Sequence, residues 1–228
     1  MPLRLFRSRN ISGANLVQAL LVAGMFSMFF LGALYLQEIL GYDALKVGLA
    51  FLPCTLVMGA MSLRLSGPLA MRFGPVPVLA VGLALGGAGL LLFARTPVHG
   101  SYWADIMPAM LVTGLGVGVA FPALTTVAMS GVTSTESGLA SGLINTTAQV
   151  GGAVGLAVLN AVATAHTNGL SGLTRAAALN SGYHLAYLVA AALILVAIGT
   201  TIGLLRVKSP RITVERRHDE AMTPAYSD

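Results

Sequence analysis

The chain has 228 residues, 56% of them hydrophobic and only 9% charged, where a soluble domain carries roughly 25% charged residues. That balance excludes a soluble globular fold and points to a chain that lives in a bilayer. The net charge of +5 and the single cysteine, Cys54, exclude two more classes: the basic residues sit in loops and tails, so there is no nucleic-acid face, and one thiol makes neither a disulfide framework nor a thiolate metal site.

A bilayer core about 30 Å thick needs about 20 apolar residues at about 1.5 Å each, and six runs in this chain qualify. The first 14 residues carry Arg4, Arg7 and Arg9, and an apolar run then extends from Asn15 to Leu36. This run is too long for the h-region of a signal peptide, roughly 7–15 residues, and no small-x-small cleavage site follows it. It reads as a retained spanning helix. Asn15, Gln18, Val22, Met25 and Phe29 fall on one stripe of that helix. An amide followed by a soft, aromatic face suits an adaptable pocket; it also suits ordinary packing between helices.

The second run, Val47–Leu65, ends with Arg64 one turn from the interface, where its guanidinium can snorkel out. The third, Val76–Ala94, follows the join SGPLAMRFGP. The fourth, Ile106–Val127, contains Gly114, Gly116, Gly118 and Pro122. No strand precedes these glycines and the third lies at the wrong offset for a dinucleotide loop. They read as a closely packed, kinked helix.

The fifth run, Leu139–Ala163, starts just after Thr133 and Glu136, which have capping-box spacing. Glycines 138 and 142, and 151 and 155, form two small-xxx-small pairs, a helix-packing signal. Asn145, Gln149, Gly152, Leu156 and Asn160 lie within about 80° of one another on the helix. Amides facing lipid are costly, so the stripe either bonds neighbouring helices or lines a wet cavity. The sixth run, Leu185–Leu205, follows a breaker-rich join over 165–184. The chain thus divides into an N-terminal segment 1–14, a six-helix domain 15–205, and a polar tail 206–228 of mixed charge that reads as a disordered end.

Orientation follows from the basic residues. One side holds Arg4, Arg7, Arg9, Arg64, Arg72, Arg206, Lys208, Arg211, Arg216 and Arg217; the other holds Lys46, Arg95 and Arg175. Ten against three places both termini in the cytoplasm. Of the eight carboxylates, none lies deep in a span. A proton relay normally needs such a group, and the nearest, Asp105, reads better as a solvated helix-start acid. Histidines 99, 166, 184 and 218 are scattered, so no metal or cofactor site is expected. A six-helix intramembrane serine protease would need Ser141 and His184 within hydrogen-bond reach. These two lie near opposite ends of their spans, and Leu139 occupies the place of a required glycine. The chain is not read as an enzyme.

Several stretches in this order, YLQEILGYDALKVGLAFLP (35–53), RFGPVPVLAVGL (72–83), GLGVGVAFPALT (114–125) and SGLASGLINTTAQVGGAVGLAVL (137–159), are similar to the C-terminal half of a major facilitator superfamily transporter, in its fourteen-helix drug:proton antiporter branch. The resemblance implies an all-α membrane fold of six helices in a three-plus-three inverted repeat. It implies that helices 1, 2, 4 and 5 line the path and that 3 and 6 lie outside. Gln18, Met25, Phe29, Asn145 and Gln149 then become candidate substrate contacts. Gly67, Arg72 and Gly74 become the gate signature between helices 2 and 3, weakened here by Met71, Pro75 and Val76. Ala148 stands where the family often has a polar residue. The implied function is export of hydrophobic or cationic compounds in exchange for protons across a bacterial inner membrane. The implied partner is a missing N-terminal half or a second copy, since alternating access needs two halves. The other reading is a non-transporting membrane remnant or an assembly subunit held by glycine faces such as Gly114 and Gly118.

Overall fold

The computed structural model describes residues 9–130, 132 and 136–205. Arg4, Arg7, Thr133 and the whole tail 206–228 with its basic residues lie outside the described residues. Among the described residues there are six long helices and no strand: α1 Asn10–Ile39, α2 Ala44–Phe73, α3 Pro75–Phe93, α4 Tyr102–Met129, α5 Ser137–Gly169 and α6 Arg175–Leu204. All six are long and apolar enough to cross a membrane. The chain is therefore a multi-pass membrane protein whose outer surface meets lipid.

The helices run past the apolar runs wherever local chemistry supports them. α2 starts early because the Asp43 carboxylate accepts from the Lys46 N–H at 2.8 Å. α6 starts at Arg175, well before Leu185, because Thr174 caps it by accepting from the Ala177 N–H at 3.3 Å. The alanines at 176, 177 and 178 then favour helix strongly. The stretch after Leu65, expected as a join, stays helical through Phe73. The break is one residue, Gly74, at φ +86°, a region that glycine enters without strain, and Pro75 then opens α3. At the start of α5, Glu136 itself stands at the N-cap. It cannot also occupy the third helical position that a capping box requires.

α1 packs mainly on α5 and α6, α4 packs mainly on α2 and α3, and the pairs α1–α4 and α3–α6 also touch. Exchanging α1 with α4, α2 with α5 and α3 with α6 maps these neighbours onto themselves, as an inverted three-plus-three repeat requires. Lipid tails give no hydrophobic force between helices, so close packing must hold them. A Cβ on Gly82 of α3 would lie 2.8 Å from the Gly116 carbonyl of α4. One on Gly114 would lie 2.8 Å from the Cys54 carbonyl of α2, and Gly118 meets Met58 one turn further on. Gly151 and Gly155 of α5 sit directly on Ala19 and Ala23 of α1. Gly138 and Gly142 differ: nothing lies within 4 Å of a Cβ at either position. Both glycines lie on the exposed side of α5, while Ala140 between them is buried, so this pair packs no helix within the chain.

Polar groups fasten the end of the bundle remote from the termini. The Tyr35 hydroxyl donates to the Pro97 carbonyl at 2.6 Å. Asn180 Nδ2 and His184 Nε2 both donate to the Thr96 carbonyl, at 2.9 and 2.8 Å. The 94–101 loop is thereby tied to α1 and α6. Exposed Glu38 and Arg175 pair at 3.3 Å, a contact worth little at a solvated surface.

The glycine contacts make a direct stability prediction. Gly155→Leu and Gly116→Leu should each cost about 1–3 kcal/mol or more through overpacking, while Gly142→Leu should be close to neutral. Thermal midpoints of the detergent-purified variants, followed by size exclusion, measure this. Equal losses at 142 and 155 would refute the assignment of contacts.

Candidate substrate groove

The approach of α2 to α4 over Gly114 and Gly118 fixes the geometry of one face. Thr55, Met58 and Ser62 recur at helical spacing along α2 and border a groove of about 340 Å³. Met25 of α1 and Val117, Gly118 and Phe121 of α4 complete its wall. The Phe29 and Phe51 rings, with centroids 5.2 Å apart, bring α1 against α2 at the loop end. Buried Ser66 donates to the Val119 carbonyl at 3.1 Å and fastens α2 to α4 toward the other end. A second concavity of about 550 Å³ lies between α1 and α5, along Phe26, Phe29, Phe30 and Leu156. Met25 belongs to both, so the two share one face of the bundle. Neither wall contains a residue of α3 or α6, or any Asp, Glu, Lys, Arg or His.

The sequence candidates divide. Met25 lines both concavities and Phe29 the second. Asn145 and Gln149 are exposed on α5; they are not buried glue between this chain's own helices. The same α5 stripe turns Gly152 onto Phe26 and Val22 of α1, so the amides share the side on which α1 presents its rings. Gln18 departs from its expected place. It is 2% exposed and its Oε1 has no hydrogen-bond partner. Gln18 faces the interior of the bundle and is not among the residues that line either concavity. Gly67 and Arg72 are exposed on the last turns of α2, with the Arg72 guanidinium 5.3 Å from the Phe73 ring centre. The groove residues Thr55, Met58, Ser62 and Phe121 were not singled out from the sequence. Their signal was the one-turn spacing of 55, 58 and 62 in an otherwise apolar run.

Three of the described carboxylates make structural contacts at helix ends. Asp43 caps α2, Asp105 accepts from the Ser101 N–H at 2.7 Å, and Glu38 pairs with Arg175. Ser141 and His184 have separate partners: Ser141 reaches the Met129 sulfur at 4.0 Å, and His184 is held on Thr96. Among the described residues no three His, Cys, Asp or Glu side chains gather as a metal site.

The chain belongs to the Major Facilitator Superfamily, a family of transporters, whose family model matches residues 2–156. It is 36% identical over 170 residues to the cephamycin export protein CmcT of Amycolatopsis lactamdurans, across 74% of this chain and 35% of that protein. It is 37% identical over 180 residues to the uncharacterized MFS-type transporter EfpA of Mycobacterium tuberculosis, across 76% and 33%. It is 36% identical over 160 residues to the puromycin resistance protein pur8 of Streptomyces alboniger, across 68% and 31%. The chain therefore spans about a third of the length of these relatives. A solved structure from work on proton dependent oligopeptide transporters superposes with a TM-score of 0.74 over 88% of this chain and 42% of that one, at 17% identity. That likeness shows the fold.

Cysteine accessibility checks the placement. In a Cys54→Ala background, Ser62→Cys and Gln149→Cys should react with a small maleimide, and Gln18→Cys should react at least tenfold more slowly because burial excludes the reagent. Fast labelling at position 18 would put α1 in a different rotation.

Proposed function

We propose that this chain supplies one bundle of a drug exporter that moves hydrophobic or cationic compounds outward in exchange for protons. The observation that carries the reading is the uncovered groove of Met25, Met58 and Phe121 between α1, α2 and α4; the exposed amides Asn145 and Gln149 on α5 add to it. Thioethers and rings adapt to ligands of varied shape. An apolar groove open on one side suits a site shared between two bundles. The export and resistance activities named for the relatives support the same direction. The second bundle comes from another stretch of polypeptide or from a second copy of this chain. Since the carboxylates described here are engaged at helix ends, the proton-carrying acid belongs to that other bundle. Arg72 would serve the inner gate. The basic-residue count supports both termini on the cytoplasmic side, and the bacterial relatives support the inner membrane.

Cells producing this chain together with its complementary bundle should extrude ethidium, and a protonophore should abolish the efflux. Met25→Ala with Phe121→Ala should reduce the rate about tenfold or more, and Gln149→Leu should narrow the range of substrates. Efflux unchanged by all three substitutions would remove the groove from the pathway. For orientation, Asp43→Cys in the Cys54→Ala background should react with a membrane-impermeant maleimide from outside intact cells; reaction only after lysis would invert the topology.

A further inference from the structure

The groove between α1, α2 and α4 contains no charged side chain, and its polar groups are mostly acceptors. The Thr55 hydroxyl donates its hydrogen to the Phe51 carbonyl at 3.0 Å, so only its oxygen lone pairs remain available. Gly118 lines the groove, and Pro122, four residues on, has no N–H to return to the Gly118 carbonyl. Ser62 adds a hydroxyl that can accept. The Met25 and Met58 thioethers are weak acceptors, and the Phe121 ring face attracts cations. No Lys, Arg or His lies in the wall to hold an anion. Apart from the Ser62 O–H, which can also donate, the heteroatoms and the ring in the groove are thus electron-rich.

We infer that the Thr55–Ser62–Gly118 wall is a hydrogen-bond-accepting subsite that selects apolar ligands carrying an N–H donor, above all protonated amines, and disfavours carboxylates. This rests on the reading of the groove as a substrate site and adds how that site discriminates. A protonated tertiary amine satisfies acceptors that otherwise stay unpaired in an apolar surrounding. A quaternary ammonium of the same size keeps the attraction of rings and sulfurs but offers no hydrogen. A carboxylate finds a single donor, the Ser62 O–H, and otherwise meets lone pairs. Recognition is by neutral oxygens, so a cation is bound without a buried counter-charge that would need its own compensation.

The test uses three matched pyrene probes and the full chain in lipid nanodiscs, with empty nanodiscs as background. They are pyrenylmethyl-dimethylammonium, pyrenylmethyl-trimethylammonium and pyrenylacetate, and binding is read by fluorescence anisotropy. The dimethylammonium probe should bind about tenfold more tightly than the trimethylammonium one, as a hydrogen bond to a charged group predicts, and the acetate should bind weakest. Ser62→Ala and Thr55→Val should each lower affinity for the dimethylammonium probe several-fold and leave the trimethylammonium probe within about twofold. Pro122→Ala returns an N–H to the Gly118 carbonyl without removing a groove side chain, so it should act in the same sense even if one of the other variants folds poorly. Equal binding of both ammonium probes, unmoved by these variants but lost in Met25→Ala, would overturn the acceptor subsite and leave the groove as a plain apolar site. Failure of well-folded protein to bind any probe would overturn the groove reading itself, and this inference with it.

Discussion

The architecture depends on how closely α4 lets its neighbours approach. In a bilayer, lipid is as apolar as leucine, so association rests on atomic contact and on the few polar bonds that lipid cannot satisfy. Gly114 and Gly118 lie within about 40° of each other on α4, and Gly116 lies about 160° from either. The alternating glycines therefore clamp the helix from two sides. Backbone of α2 presses on Gly114 and Gly118, while backbone of α3 presses on Gly116. A side chain at any of the three would push a whole helix outward. The inverted repeat places α1 in the corresponding role for α5 and α6. There the contact is between Ala19 and Ala23 on one side and Gly151 and Gly155 on the other.

This clamp determines the groove as well as the fold. With α2 held at backbone distance from α4, the side chains flanking the contact have nowhere to go but along its edge. Thr55, Met58 and Ser62 take that edge on α2, and Phe121 takes it on α4. Pro122 leaves the Gly118 carbonyl without its usual donor four residues on. The chemistry of the groove is in this sense a consequence of packing: small residues bring backbones together, and the backbones set which side chains face the opening.

The spans themselves were legible because length and hydropathy suffice to find a spanning helix. Of the stripe Asn15, Gln18, Val22, Met25 and Phe29, Met25 and Phe29 line the concavities while the other three are buried; the spacing of Gly151 and Gly155 matches a contact with α1. Other features were hidden for a common reason. In a soluble helix, polarity separates inside from outside; here the core and the lipid face are both apolar, and the wheel loses that contrast. Gln18 and Gln149 look alike in sequence, yet one is enclosed and the other exposed. Gly138 and Gly142 have the same spacing as Gly151 and Gly155 but no facing helix. The extra turns of α6 and the helical stretch Ser66–Phe73 were masked by glycine, proline and serine, whose breaking tendency yields to a cap at Thr174 and to packing at Ser66.

The distribution of exposed polar groups separates the faces that hydropathy could not. Exposed positions of α3 from Val81 to Leu92, and of α6 from Leu188 to Ile202, carry only Leu, Val, Ala, Ile and Gly. That surface can meet hydrocarbon at no cost. The two flanking helices differ. α5 exposes Asn145, Thr146 and Gln149, and α2 exposes Thr55 near the partly open Ser62. The threonines can return their hydrogens to their own helix, as Thr55 and Thr146 do, but an amide has donors and acceptors that a single helix cannot satisfy. Asn145 and Gln149 against hydrocarbon would cost several kcal/mol. The α5 flank that carries them must therefore meet water or protein.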